Sequence, residues 1–418
     1  MHVVVIGAGI IGVTSAYYLR QAGLEVTVVE RNSGVAQETS YGNAGVIAPA
    51  YIGPWAQPGM PRKIVSYLFK PHAPVVFRPT LDLALWGWLR RWYSECTLER
   101  FMRNKARMQR IAYYSRDQLR SLRAKLELEY EQTAGYLQLY RTQRELERCA
   151  PARKMLAEAG VPHQLLTAQE CRAIEHAIAP HALLVGGLHL PDDETGNCAF
   201  FARQLKDLAE NDGVRFRFGV SAVPQIAGGK LQGVVVEGSP LEADLCVLAA
   251  GIDSIACLAP LGIDVPIYPV KGFAATVAVT NHDHAPQLSV MDEDYKVAIT
   301  RMGQRLRIAG TAEIGSRRLR LRASALRTLV RVAIDWFPSA AAYSQAQYWV
   351  GARPMLPDGP PLLGATPVRG LLLNIGHGSS GWAMACGCAR IIADLATGQQ
   401  PEIDMEGLTL ARYSAGAA

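Results

Sequence analysis

Long apolar stretches are missing from this 418-residue sequence. No run approaches the roughly 20 residues that a membrane-crossing helix needs, although 49% of the side chains are hydrophobic. A cysteine framework is missing too. The eight cysteines, at 96, 149, 171, 198, 246, 257, 386 and 388, lack the paired spacings of a disulfide scaffold, which indicates reduced thiols. Cys386 and Cys388 have no second ligand pair, so they read as small core side chains and no metal is expected. A strong charge of one sign is also absent. The 43 basic and 37 acidic residues leave only +6, and without a recognition motif this argues against nucleic-acid binding. No leader fits ahead of the first strand candidate, which opens at residue 3. These absences predict a cytoplasmic globular chain with core enough for about two or three domains.

What is present begins at once. Val3, Val4, Val5 and Ile6 form a β-branched run that reads as a strand buried on both faces. Gly7, Gly9 and Gly12 follow as G-x-G-x-x-G, and a helix is predicted over 14–22. Those glycines admit a tight turn, a close pyrophosphate and close helix–strand packing. The helix N-terminus offers free N–H groups and a positive dipole end to phosphates. A second strand over 25–29 ends at Glu30, where a ribose hydroxyl can donate to a carboxylate. Residues 1–31 thus read as a dinucleotide-binding βαβ start rather than an ordinary turn and a solvated strand end.

Further along, residues 37–51 (QETSYGNAGVIAPAY) form a small-residue loop suited to a flat ligand. Prolines exclude a long helix over 53–80, with Trp55, Met60, Tyr67, Leu68 and Phe69 interleaved. Leu81, Leu85, Trp88, Leu89 and Trp92 then fall at helical spacing. Met108, Ile111, Ala112, Ser115, Leu119, Leu122 and Leu126 predict a helix within 101–130. Another helix is expected over 143–159, and Thr167 with Glu170 forms a capping-box pattern. A strand over 184–190 leads into a polar turn at 191–197, followed by a helix over 200–211. The strand over 244–248 runs into Ala249-Ala250-Gly251, another point of backbone approach to a ligand. Strands at 274–280, 297–301 and 306–309 predict a second, mostly antiparallel domain, and a basic helix is expected over 317–336. Finally, a strand over 371–375, the run Gly376-His377-Gly378-Ser379-Ser380-Gly381 and a helix to about 396 repeat the strand–glycine–helix unit.

With those segments in order, the sequence resembles the FAD-dependent D-amino acid oxidase superfamily. The matching stretches are GAGIIG, ETSYGNAG, LAAG, GARPMLPDG and GHGSSGW. The stretches YSRD, LPDDETG, YPVKG and YKVAITR make it most similar to the bacterial D-amino acid dehydrogenases within that superfamily. The resemblance implies an α/β, Rossmann-like FAD domain drawn from segments 1–80, 191–264 and 349–418. It further implies a helical, substrate-side insertion at 81–190 and an antiparallel substrate domain at 265–348. The FAD is expected on Gly7, Gly9, Ile11, Gly12 and Arg31, with Glu30 at the ribose. Ser40, Asn43, Ala44 and Gly45 are expected at the flavin side, Val223 at the adenine, and Ala250 and Gly251 at the pyrophosphate. Gly378, Ser379, Ser380 and Gly381 would face the flavin's pyrimidine edge.

Arg353 is the implied carboxylate anchor, since a guanidinium forks onto a carboxylate through two parallel hydrogen bonds. Tyr295, Lys271 and His377, with Lys296, are the candidates for handling the amine proton. The implied reaction moves a hydride from Cα of a D-amino acid to flavin N5 and yields a 2-oxo acid and ammonia. Its electrons pass to a quinone or another respiratory-chain acceptor. An oxygen-using oxidase of glycine or N-methyl amino acids, a non-catalytic flavin subunit and a nicotinamide reductase are the competing readings. Nine arginines between 301 and 331 read as a solvated face. With the tryptophan- and proline-rich stretch 53–92 they also motivate peripheral contact with the inner membrane.

Overall fold

The first strand, His2–Ile6, sends alternate side chains into two separate cores. Val3 and Val5 meet helices on one side, while Val4 and Ile6 meet a small sheet on the other. A strand covered on both faces has no place for a polar residue, which is why the run is uniformly apolar. It lies inside a six-stranded sheet ordered Leu362–Ala365, Leu371–Ile375, Leu245–Leu248, His2–Ile6, Glu25–Glu30, Arg215–Phe218. Neighbours run parallel except for the first pair. Helices Ile10–Gln21, Leu98–Leu126, Cys198–Asn211 and Gly381–Ala396 cover one face. The antiparallel strands Ala222–Ala227, Lys230–Val236 and Ser239–Leu241 form a small sheet that covers the other.

The second sheet is larger and mainly antiparallel. Its main path runs Gln347–Met355, Tyr268–Ala278, Arg305–Ile314, Val297–Met302, Ser289–Asp292, Thr133–Tyr140, Gly186–Thr195, Val46–Ile47. One face packs on the helix Ala323–Trp336, whose Leu329, Val332, Ala333 and Trp336 meet Phe273, Ala275, Ile299 and Ile308. The opposite face turns small residues, among them Gly272, Ala298 and Ala309, toward a cavity. The chain thus has the α/β plus antiparallel architecture that its sequence implies. The computed structural model describes residues 1–67 and 72–414, so Leu68 and Phe69 lie outside the described residues.

Several boundaries differ from expectation, each for an identifiable reason. The helix expected over 143–159 is two, Gln143–Arg148 and Ala150–Glu158. Pro151 has no N–H to give the preceding turn, so a new helix starts around it. The expected polar turn at 191–197 is largely strand, because Gly186–Thr195 continues through it. Asp193, Glu194 and Thr195 are buried there. Glu194 is satisfied by Arg123 at 3.0 Å, Tyr130 at 3.0 Å and Gln132 at 3.1 Å.

The basic helix starts only at Ala323. Residues ahead of it are held extended by ion pairs, Arg317 with Asp82 at 2.7 Å and Arg322 with Glu313 at 3.1 Å. Leu81 lies outside the helix Leu83–Ser94, which Asp82 caps; Leu81 is 95% exposed. Strands Gly186–Thr195 and Gln347–Met355 both belong to the larger sheet and run across the expected junctions at 190/191 and 348/349.

Candidate active site

A cavity of ≈ 1450 Å³ opens where four parallel strands end, lined by Gly7, Glu30, Ala249 and Gly376 just past them. Gly7 has φ +104°, and a Cβ on Gly12 would lie 1.8 Å from the Gly7 carbonyl oxygen. Only glycines let the helix Ile10–Gln21 press so closely on the strand. Its N-cap is Gly9, which has no side chain to cap it. The Ile10 N–H donates instead to Ser40 Oγ at 3.0 Å. Glu30 accepts from the Ala8 N–H at 2.7 Å and the Asn32 N–H at 2.8 Å, fixing its carboxylate at the rim. Arg31 pairs with Glu38 and, at 2.8 Å, with Asp253.

The second helix end comes from the other extremity of the chain. Gly376 (φ +77°) and Gly378 (φ +56°) flank His377 and turn the backbone into Gly381–Ala396, whose N-cap Ser380 makes no side-chain cap. The first helix is joined directly to the second and to the strand Leu371–Ile375 that precedes it. Thr14 Oγ1 donates to the Ala385 carbonyl at 3.3 Å, and Asn374 Nδ2 donates to Ser15 Oγ at 2.9 Å. Gly9, Ile11, Ser40, Asn43 and Ala44 line the cavity from one side; Gly378, Ser379, Ser380 and Gly381 line it from the other. Ala250 and Gly251 join them.

Gly12 and Gly45 do not line the cavity; they serve close packing, with a Cβ on Gly45 2.7 Å from Met302 Cε. Val223 is half exposed and also absent from the wall, where its neighbours Val220, Ser221 and Ala222 stand instead.

Of the five polar candidates, Arg353, His377 and Lys296 line the cavity, and Lys271 and Tyr295 do not. Arg353 sits on Gln347–Met355 and leans over its neighbour strand at Gly272, where an added Cβ would come 2.4 Å from the guanidinium carbon. It donates to the Lys271 carbonyl at 3.1 Å and lies 5.9 Å from the Trp55 ring centre. No carboxylate among the described residues offsets its charge; burial lowers its pKa to about 10, so it remains a cation at neutral pH. His377 is buried, its Nε2 has no partner, and burial pulls its pKa down to about 3. It is therefore neutral.

Lys271 is fully buried, paired with Glu313, and donates to the Arg318 carbonyl at 3.1 Å. Its ammonium is held away from any substrate. Tyr295 packs under Arg141, 5.1 Å from the ring centre, because its turn folds back onto the larger sheet's other core.

The sequence reading missed several residues. Buried Arg307 donates to the Tyr41 carbonyl at 2.6 Å and the Asn43 carbonyl at 3.0 Å, holding the 40–45 loop from behind. Tyr51, Trp55, Glu293 and Asn374 also line the cavity. A lone arginine in a strand or an acidic residue in a turn looks solvated in sequence, and only the fold brings these together. Among the described residues, no group of three or more His, Cys, Asp or Glu side chains could hold a metal ion. No helix among them is long and apolar enough to cross a membrane.

Two helix N-termini converging on one cleft at the ends of parallel strands define a dinucleotide-binding α/β enzyme. A family described as FAD dependent oxidoreductase matches residues 2–395, and the chain belongs to that family. The D-amino acid dehydrogenase of Rhodopseudomonas palustris (strain HaA2) is 46% identical over 421 residues, covering 100% of this chain and 99% of its own. That of Agrobacterium fabrum (strain C58) is 44% identical over 418 residues, covering 99% and 100%. The structure of glycine oxidase from Geobacillus kaustophilus aligns with a TM-score of 0.77 over 98% of both chains. At 21% identity that likeness is one of fold.

The residues present fit FAD. A turn shaped by glycines meets a helix end whose N-cap has no side chain and whose first N–H is held by Ser40, and a second helix end without a side-chain cap faces it across the cavity. The buried Asn374 Oδ1 and His377 Nε2 have no partner within the protein.

Proposed function

We propose that the chain oxidises D-amino acids to 2-oxo acids and ammonia, with FAD spanning the two helix ends and Arg353 receiving the substrate carboxylate. The observation that carries this reading is the uncompensated guanidinium in the cofactor cavity. A desolvated cation without a partner is costly, and a substrate carboxylate relieves that cost. The names of the relatives at 46% and 44% identity support the substrate class.

In this reading Gly7, Gly9 and the Ile10–Gln21 helix end hold the pyrophosphate, and Glu30 the ribose. The backbone of Val220–Ala222 takes the adenine. Residues 40–45 and Gly378–Gly381 hold the flavin end, where the Gly381–Ala396 dipole favours developing negative charge. Bound there, FAD supplies a two-electron acceptor for the Cα–H bond. Arg353 orients the substrate, and Lys271 supports Arg353 through its carbonyl. His377, which burial makes a very weak base, offers a hydrogen bond rather than taking the proton. The larger sheet is the substrate module and the six-stranded sheet the cofactor module.

Replacing Arg353 by leucine should leave the flavin bound while kcat/KM for D-amino acids falls at least about a hundredfold. A variant with normal turnover would contradict the assignment.

The acceptor in this reading is a quinone reached at the inner membrane. Supporting it, Leu81, Leu83, Trp86, Leu319 and Leu321 are exposed large apolar residues. The Asp82–Arg317 pair at 2.7 Å draws their two segments together. Exposed Arg90, Arg318 and Arg320 lie on the same two segments, a combination suited to an anionic bilayer surface. The protein should co-sediment with anionic vesicles at low salt, and the double variant Arg318→Glu/Arg320→Glu should stay in the supernatant. Equal sedimentation of both would remove the membrane arm. Stoichiometric peroxide formed with oxygen alone would favour an oxidase.

A further inference from the structure

The cavity has a second polar end that the reaction above does not use. From Gly272, where the Arg353 guanidinium rests, the floor crosses the larger sheet over residues with almost no side chain. Ala312 stands opposite Gly272; three residues back along the same strand Ala309 faces Ala298, which in turn faces Met291, whose longer side chain ends the small-residue stretch. Three strand spacings separate the Gly272 strand from the Met291 strand, about 14 Å in all. At the far end stands Glu293, with the Tyr51 hydroxyl beside its carboxylate. Its backbone N–H is fixed on the Leu139 carbonyl at 3.1 Å.

One carboxylate oxygen of Glu293 takes the Lys296 ammonium, which also reaches the Tyr51 hydroxyl at 3.2 Å. Lys296 can fold back onto Glu293 because its backbone is left-handed, φ +50°. The other oxygen, Oε1, is buried and makes no hydrogen bond.

We propose that Glu293 is a specificity-determining residue, whose Oε1 accepts a hydrogen bond from the side chain of the D-amino acid. The proposal rests on the reading of Arg353 as carboxylate anchor and extends it to the substrate's other end. A D-amino acid with a long side chain, held by Arg353 and laid along that floor, has the length to present its end to Glu293: an extended lysine-length chain covers about 8 Å, and the hydrogen bonds at its two ends about 3 Å each. A hydroxyl, amide or amine there satisfies Oε1. An aliphatic group of equal size leaves the carboxylate oxygen desolvated and unpartnered, and such a site rejects the apolar analogue strongly. The preferred class is therefore D-amino acids with a long side chain that ends in a hydrogen-bond donor.

The test uses the flavin-loaded enzyme and matched pairs of long side chains of nearly equal shape: D-lysine with D-2-aminoheptanoic acid, D-ornithine with D-norleucine, D-glutamine with D-homoleucine. For each pair the ratio of kcat/KM values is measured with an artificial electron acceptor. In at least one pair the wild-type enzyme should favour the donor-bearing member tenfold or more. Glu293→Gln should reduce that ratio at least tenfold, and Glu293→Asp, with its shorter reach, should move the optimum toward a longer side chain. A wild-type preference for the aliphatic member in every pair overturns the proposal. So does a Glu293→Gln variant that slows both members of each pair by the same factor. If no D-amino acid reduces the flavin at all while L-enantiomers do, the D-amino acid reading itself fails, and this proposal with it.

Discussion

Gly272 matters because of what its missing side chain leaves room for. A Cβ there would sit 2.4 Å from three atoms of the Arg353 guanidinium, so Gly272→Ala must push the anchor off the floor. KM for D-amino acids should rise at least about tenfold, since a misplaced charge contact costs more than 1.4 kcal/mol. Flavin content, read from the visible spectrum, should be kept. An unchanged KM would show that the guanidinium acts elsewhere.

Asp193 provides a second test at this scale. It is buried, receives only a long bond from the Ala50 N–H at 3.4 Å, and burial raises its carboxyl pKa to about 7. The unfolded chain ionises near pH 4. Between roughly pH 4 and 7 the folded state therefore holds the extra proton, and the stability this group contributes below pH 4 is lost as pH rises. Asp193→Asn removes that slope, so the variant's Tm advantage should widen from pH 4.5 to 7.5. The limit is on the order of 4 kcal/mol. A gap independent of pH would contradict the buried, protonated carboxyl.

Among the elements, the 40–45 loop depends on a strand far away in sequence. Arg307 holds the Tyr41 and Asn43 carbonyls, leaving the loop's other side to the cavity. Replacing it with glutamine should loosen the loop and raise the FAD dissociation constant about tenfold, consistent with the loss of two hydrogen bonds from a charged donor. Equilibrium dialysis of the apoprotein with FAD measures this, and unchanged affinity would remove Arg307 from the cofactor's support.

The same contrast explains what was readable in advance. The helix Leu98–Leu126 could be read because Met108, Ile111, Ala112, Ser115, Leu119 and Leu122 repeat at helical spacing and all are buried. Both strand–glycine–helix units were legible because only glycine meets their geometry. The strand through Asp193 and Glu194 was not, since its polarity is tolerable only after Arg123 and Tyr130 arrive from another element. Arg307 and Glu293 were hidden for a related reason: their burial is created by segments more than 100 residues away. Lys271 misled in the opposite direction, because its motif is legible whereas its pairing with Glu313 is not.

For the whole molecule, the two extremities of the polypeptide meet at one cavity, with the larger sheet forming its other wall. The strands that end before Gly7, Ala249 and Gly376 and at Glu30 all open on the same cavity that Arg353 enters from the second sheet. Chemistry at that junction requires both modules, so neither sheet alone should oxidise a substrate. The most direct test is anaerobic titration of the flavin-loaded protein with D- and L-amino acids, followed by absorbance near the flavin maximum. The account predicts bleaching by D-enantiomers that Arg353→Leu abolishes at the same concentrations, while dithionite still reduces the variant. Bleaching that is indifferent to the Arg353 substitution, or that follows the L-enantiomers, would contradict it.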